Sequence, residues 1–186
     1  MKQHWKPGTL EAPLPAVMVS CGRGEEANIL TIAWTGILNS DPPKAYISVR
    51  PERHSYGILK KEREFTINLT TEALARATDT CGVVTGAKVN KWELCHLDPE
   101  PGQQVACPGI AQSPLQLECK VTDILPLGSH DLFLADIVGV NVEDGLIDAK
   151  GKLHLEKAGL IAYSHGTYYS LGKALGTFGF SVRKKK

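Results

Sequence analysis

The 186-residue sequence has almost no excess of charge of either sign: 21 Lys and Arg against 20 Asp and Glu leave a net charge of +1. A general nucleic-acid binder usually carries a strongly basic surface, so that class is set aside. No apolar run approaches membrane-spanning length, and no membrane segment is expected. The opening residues, M-K-Q-H-W-K-P-G, lack the apolar stretch of a signal peptide. The five cysteines (21, 81, 95, 107 and 119) form no C-x-x-C pair, which excludes zinc-ribbon and thioredoxin-type motifs. The six histidines form no H-x-x-x-H pair, and no metal site is expected from them. A G-x-G-x-x-G after a strand, a Walker loop and a G-x-S-x-G elbow are all missing. Repeats, linkers and low-complexity stretches are missing too, so residues 1–186 read as one domain.

What remains is an ordinary composition. Hydrophobic residues make up 42% and charged residues 22%, with a mean hydropathy of -0.13. That is enough to build a core without disulfides. The cysteines, odd in number and widely spaced, read as buried thiols in a reducing compartment, and the cytoplasm is expected. The one basic cluster, residues 183–186, reads as a solvated terminus.

The chain alternates strand-like runs with turn signals. Strands are expected at 15–20, 27–34, 44–50, 64–69, 115–122 and 132–140. The glycines of 21–26 suggest a hairpin turn, the two prolines of 39–43 a loop, and 125–131 an interruption between strands. A helix is expected to open at His54-Ser55 and run through Lys61. A second should start at Thr70 or Thr71 and stop at Gly82. Further turns are marked by Asp144-Gly145 and Lys150-Gly151. The balance is mostly antiparallel β, and closing such a sheet into a barrel removes its exposed edges.

Four segments carry candidate chemistry. The first is I-S-V-R-P-E-R-H-S at 47–55, where a strand ends in Arg50 and a helix begins near Ser55. Two guanidinium groups beside hydroxyls and unpaired helix N–H groups suit a phosphate. A capped helix with surface arginines paired to Glu52 presents the same letters. The second is N-I-L-T-I-A-W-T-G at 28–36, whose backbone could lie along a flat ring; read alone it is a core strand with a buried Trp. The third, Gly128-Ser129-His130-Asp131, places a histidine in a turn, either beside a substrate or simply in solvent. The fourth, 82–92, contributes Lys88 and Lys91 after a glycine-containing loop, near a phosphate or in water.

Taken in order, these segments resemble the flavin reductase-like family, the FMN-binding split barrels that include flavoredoxin. The resemblance runs from about Pro13 to Val182. Its carriers also include Pro42-Pro43, E-F-T-I-N-L at 64–69, Cys81-Gly82, Gly86, Lys91-Trp92 and Pro108-Gly109-Ile110. Glu118-Cys119-Lys120 and F-G-F-S at 178–181 complete the set.

The resemblance implies a mainly β fold, a six-stranded antiparallel Greek-key split barrel with a few peripheral helices, assembled as a homodimer. It implies FMN as cofactor, with NAD(P)H as electron donor and free flavin, ferric iron or a partner protein as acceptor. By the same resemblance Ser48, Val49, Arg50, Arg53, Ser55 and Lys91 would surround the phosphate. Asn28, Thr31, Ala33, Trp34 and Thr35 would lie along the ring system, and His130 would serve as the catalytic residue on its nicotinamide side. Ser129 stands where members that use NAD(P)H often have Asp. That departure keeps open an FMN electron carrier of the flavoredoxin type, without NAD(P)H turnover of its own.

Overall fold

The structure of the chain, a computed structural model, describes residues 1–183. Most of the basic tail therefore lies outside the described residues. The elements in chain order begin with β1 (Leu14–Pro15), β2 (Val17–Cys21), β3 (Asn28–Ile32), β4 (Thr35–Ser40) and β5 (Pro43–Val49). Helix α1 (His54–Glu62), β6 (Glu64–Leu69), α2 (Ala75–Val83) and α3 (Lys91–Leu94) follow. The rest are β7 (Pro99–Glu100), β8 (Gly109–Ile110), β9 (Leu115–Pro126), β10 (Asp131–Val142), β11 (Ile161–Ser164) and β12 (Thr167–Ser170).

The main sheet has seven strands in the order β3-β2-β6-β9-β10-β5-β4, and every neighbouring pair in it is antiparallel. Its two outer strands, β3 and β4, are joined in the chain by only Ala33 and Trp34. Two residues span too little distance to cross a flat seven-stranded sheet, so the sheet must curl until its edges meet. The Ser48 N–H bond to the Trp34 carbonyl at 2.9 Å holds that junction against the end of β5. The mainly β expectation holds, with one correction. The sheet has seven strands, because β3 and β4 pair on opposite flanks; taken as one strand broken at the junction, they restore six.

The curl explains the burial pattern. Alternate residues of six strands fill a common interior: Val17, Val19, Leu30, Ile32, Ala45, Ile47, Phe65, Ile67, Cys119, Val121, Phe133 and Ala135. Leu59 of α1 joins them. β2 is buried on both faces, because its opposite side carries Met18 into a second cluster with Ile29, Leu74, Cys81, Trp92 and Leu97. That cluster is the seat of α2 and α3 on the outside of the barrel.

Several local expectations are corrected. The strand expected at 15–20 is divided between β1, which pairs with β11, and β2. The loop expected at 39–43 is tighter, since β4 runs through Ser40 and β5 starts at Pro43. α2 starts at Ala75, not at a threonine cap: the Thr70 hydroxyl donates to the Ala16 carbonyl, and Thr71 bridges Leu160. Gly82 lies inside its last turn. The interruption at 125–131 shrinks to residues 127–130, because β9 and β10 are both longer than expected.

Candidate functional site

α1 starts where the phosphate-like motif ends. Arg53 is its N-cap and contributes no side-chain cap. The first helix N–H groups have no intrahelical acceptor, and they carry the positive end of the helix dipole. They open on a cavity of about 320 Å³. Its walls include Asn28 and Leu30 of β3, Arg50 and Arg53 from the turn, Ser55 of α1, Val83 at the end of α2 with residues 84–86 after it, and Lys91.

Lys91 is only 4% exposed. Its Nζ donates to the carbonyls of Ile29 at 2.7 Å and Cys81 at 2.8 Å. An ammonium has three donors, so one remains beside the cavity. No carboxylate pairs with Lys91 or Arg53 among the described residues. Burial first, and the nearby Arg53 guanidinium as well, hold Lys91 below the ordinary lysine range, although the neighbouring thiols oppose this. The Arg53 guanidinium donates to the Gly82 carbonyl at 3.0 Å. Among the described residues Arg50 reaches only Glu52, at 3.5 Å with both side chains largely exposed, a contact worth little. The site thus concentrates positive charge against one weakly engaged carboxylate, as an anion requires.

The wall is locked by small residues. Asn28 Nδ2 donates to Ser55 Oγ at 2.7 Å. Gly86 crosses the Asn28 amide so closely that a Cβ there would meet Oδ1 at 2.2 Å. Only glycine fits that approach.

A second hollow of about 170 Å³ adjoins the first, sharing Leu30, Arg50 and Arg53 with it. Thr31, Ala33, Trp34, Ser48, Val49 and His130 line it. Ala33 and Trp34 lie outside both strand ladders, so their amides are not committed to strand pairing. The Trp34 and His130 rings are 4.6 Å apart and tilted by 37°. His130 closes the turn at 127–130, where its carbonyl accepts from Leu127 N at 2.9 Å. Its Nδ1 lies 3.0 Å from Ser129 Oγ. Burial, then the charges of Arg50 and Arg53, keep it below the usual histidine range, with Glu52 opposing. Both influences favour the uncharged imidazole.

The structure divides the candidate residues by position. Asn28, Arg50, Arg53, Ser55 and Lys91 share the larger cavity, while Thr31, Ala33, Trp34, Ser48, Val49 and His130 surround the smaller one. The Thr35 side chain lines neither; its hydroxyl donates to the Tyr46 carbonyl at 2.7 Å. Thr31 lines the hollow while donating to the Thr78 carbonyl. Lys88 is exposed and borders neither hollow. Leu30, Val83 and Val84 are apolar and carry no signal of their own in the sequence, and only the fold brings them to the wall.

A pocket with a cationic end and a flat, half-apolar end suits an elongated molecule with a phosphate and a planar ring. Comparison with known proteins points the same way. Residues 10–172 match the model of the flavin reductase like domain. The chain superposes on the flavoredoxin of Desulfovibrio vulgaris (Miyazaki F) with a TM-score of 0.90 at 26% identity, covering 98% of this chain and 100% of that one. An FMN-binding protein from Thermus thermophilus, solved with 1-cyclohex-2-enone, gives 0.79 at 26% identity, covering 96% and 99%. An NADPH-flavin oxidoreductase of Streptomyces viridifaciens is 24% identical over 161 residues, 84% of this chain and 82% of its own length.

Proposed function

The chain belongs to the flavin reductase-like domain family, and from that premise we propose that it is an FMN-binding oxidoreductase taking electrons from NAD(P)H. The observation that carries this reading is the buried Lys91 ammonium, which has a donor to spare and no carboxylate partner among the described residues. Burying an uncompensated charge is costly, and an anionic ligand removes the cost.

In this reading Lys91, Arg50, Arg53, Ser55 and the start of α1 hold the FMN phosphate. The chain at Ala33 and Trp34 offers amides and an aromatic surface to the ring system. Bound there, FMN supplies hydride acceptance and electron delivery, which few acid–base side chains need to assist. His130, tilted against Trp34, orients whatever approaches the exposed ring face. The electrons would leave to free flavin, ferric iron or a partner protein.

Two further expectations belong to the same proposal. Ile37 and Leu38 on β4, and Val138 and Val140 on β10, are exposed apolar residues of the main sheet, which favours a homodimer. All five cysteines are free, which suits the reducing cytoplasm. No helix among the described residues is long and apolar enough to cross a membrane.

A second reading is a flavoredoxin-type electron carrier, favoured by Ser129 and by the similarity to the Desulfovibrio protein. One experiment separates the two. FMN is added to purified protein, and its visible bands are followed anaerobically after NADH and then NADPH. Bleaching by either nucleotide supports the reductase. Bands that persist until dithionite is added support the carrier. Failure to bind FMN defeats both.

A further inference from the structure

One pair of groups near the cavity has no part in flavin binding. Cys81, in the last turn of α2, and Cys95, just after α3, place their sulfurs 3.8 Å apart. No other two cysteine sulfurs come within hydrogen-bond reach among the described residues. Both thiols are free. They differ in access: Cys81 is 1% exposed, whereas Cys95 is only half-buried.

The surroundings favour chemistry at this pair. The Lys91 ammonium is bonded to the Cys81 carbonyl at 2.8 Å, and its charge acts on the Cys81 sulfur. A neighbouring cation stabilises a thiolate, the reactive form. Burial and the other thiol push Cys81 up to about 12, so Cys81 is the poorer first nucleophile. The accessible sulfur should react first and the buried one should resolve it.

The geometry points to Cys81 and Cys95 as an oxidisable dithiol that forms a reversible disulfide across the wall of the anion cavity. The oxidant is a hydroperoxide; hydrogen peroxide is the simplest case. The Cys95 sulfur attacks one peroxide oxygen, the O–O bond breaks, and a sulfenic acid and one water result. The Cys81 thiol then attacks that sulfur, forms the S–S bond and expels a second water. The two thiols lose two electrons and two protons in all, and the peroxide leaves as two waters. The sulfurs must close from 3.8 Å to the bonded distance of about 2.05 Å. That needs a small movement of the last turn of α2 towards α3.

That turn is where the cavity's cations are held. The Cys81 carbonyl accepts from Lys91 and the Gly82 carbonyl from Arg53. Tying the turn to the element that carries Lys91 stiffens the anion site. This consequence, unlike the disulfide itself, rests on the FMN reading. Release of FMN from the oxidised chain should be about threefold slower or more, as expected of a pre-organised site.

The test uses the full chain. Protein is treated with hydrogen peroxide, remaining thiols are alkylated with iodoacetamide, and the peptides are mapped by mass. The expected result is one cross-linked pair joining Cys81 to Cys95, lost on adding dithiothreitol. Cys95→Ser should abolish it. Cys81→Ser should leave a sulfenic acid at Cys95 that dimedone captures; the mapping of unmodified protein stands even if that buried variant fails to fold. Alkylation of both cysteines after peroxide overturns the proposal, as do links through Cys21, Cys107 or Cys119. FMN release from oxidised and reduced protein is then compared by flavin fluorescence. Equal rates overturn the coupling. A reduced chain that takes up no FMN defeats the flavin reading and leaves the cross-link result intact.

Discussion

Asn28 and Ser55 meet across 2.7 Å in the wall of the anion cavity, and both are buried. The bond ties the first residue of β3 to the first turn of α1. Gly86 lies against the same amide. Gly86→Ala should force the wall apart and destabilise the fold by about 1–3 kcal/mol. It should weaken FMN binding as well. Thermal melting and FMN titration of one preparation would check both, and a variant indistinguishable from the parent would contradict the geometry.

Arg53 and Arg50 should behave as binding residues and not as structural ones. Each is exposed at the start of the helix, and a charge-assisted hydrogen bond contributes about 1.5–3 kcal/mol. Arg53→Ala or Arg50→Ala should therefore lower FMN affinity by roughly 10–100-fold, with far-UV circular dichroism unchanged. Retained affinity in both would remove the phosphate from this cavity.

Lys91 gives the binding a pH signature. It attracts a phosphate only while protonated, a condition met below its pKa. Burial and Arg53 lower that pKa. FMN affinity should hold at neutral pH and fall as the pH rises, at a lower pH than an ordinary lysine would cause. In Lys91→Met this alkaline loss should vanish, together with much of the affinity. Flavin-fluorescence titrations across the alkaline range would show it.

Glu118 is a fully buried carboxylate with no cationic partner among the described residues. Burial pushes its pKa up, but donors from Gln103, Asn141, Gln104 and Val105 together outweigh it and hold the group low. The N–H groups of Gln103 and Gln104 lie 2.7 and 2.5 Å from its two oxygens. Its stabilising contribution is present above the unfolded carboxylate range and is lost as the pH falls through the lowered folded value. Glu118→Gln turns a donor towards donors and should cost about 2 kcal/mol or more. Urea melts at neutral and acid pH should show the difference between variant and parent shrinking as the pH falls.

His130 should separate binding from turnover. It lines the Trp34 end of the site and not the cationic end. His130→Ala should leave FMN affinity nearly intact and slow any NAD(P)H oxidation about tenfold or more, through lost positioning. Steady-state assays beside FMN titration would test this, and a loss confined to FMN affinity would reverse the assignment.

Much of the site is legible in the sequence because it is local. The run from Ile47 to Ser55 encodes a strand end, a turn and a helix start, and the structure has all three. What escapes such a reading depends on distant partners. β4 begins T-G-I-L and leaves Ile37 and Leu38 exposed, so no apolar alternation marks it; only pairing with β5 makes it a strand. α3 is too short for periodicity. Its signal is the spacing of Asn90 and Glu93, a capping pair in which Asn90 accepts from Trp92 N and donates to Glu93. The β11–β12 hairpin is announced only by His165-Gly166, which adopt φ of 47° and 81°. Two positive values suit the tight hairpin turn. The burial of Lys91 has no local signal, since a lysine after a glycine loop reads as solvated until β3 and α2 present their carbonyls to it.

The two-residue junction between β3 and β4 limits how this protein can change. Ala33 and Trp34 both complete the circuit of the sheet and face the hollow beside His130. A substitution that reshapes the hollow there also alters the seam. New ligand preferences should therefore arise elsewhere, in parts that bound the site without closing the sheet: the turn at 127–130 and residues 83–85. Libraries drawn from those segments should keep more folded members than libraries of the same size drawn from residues 31–36.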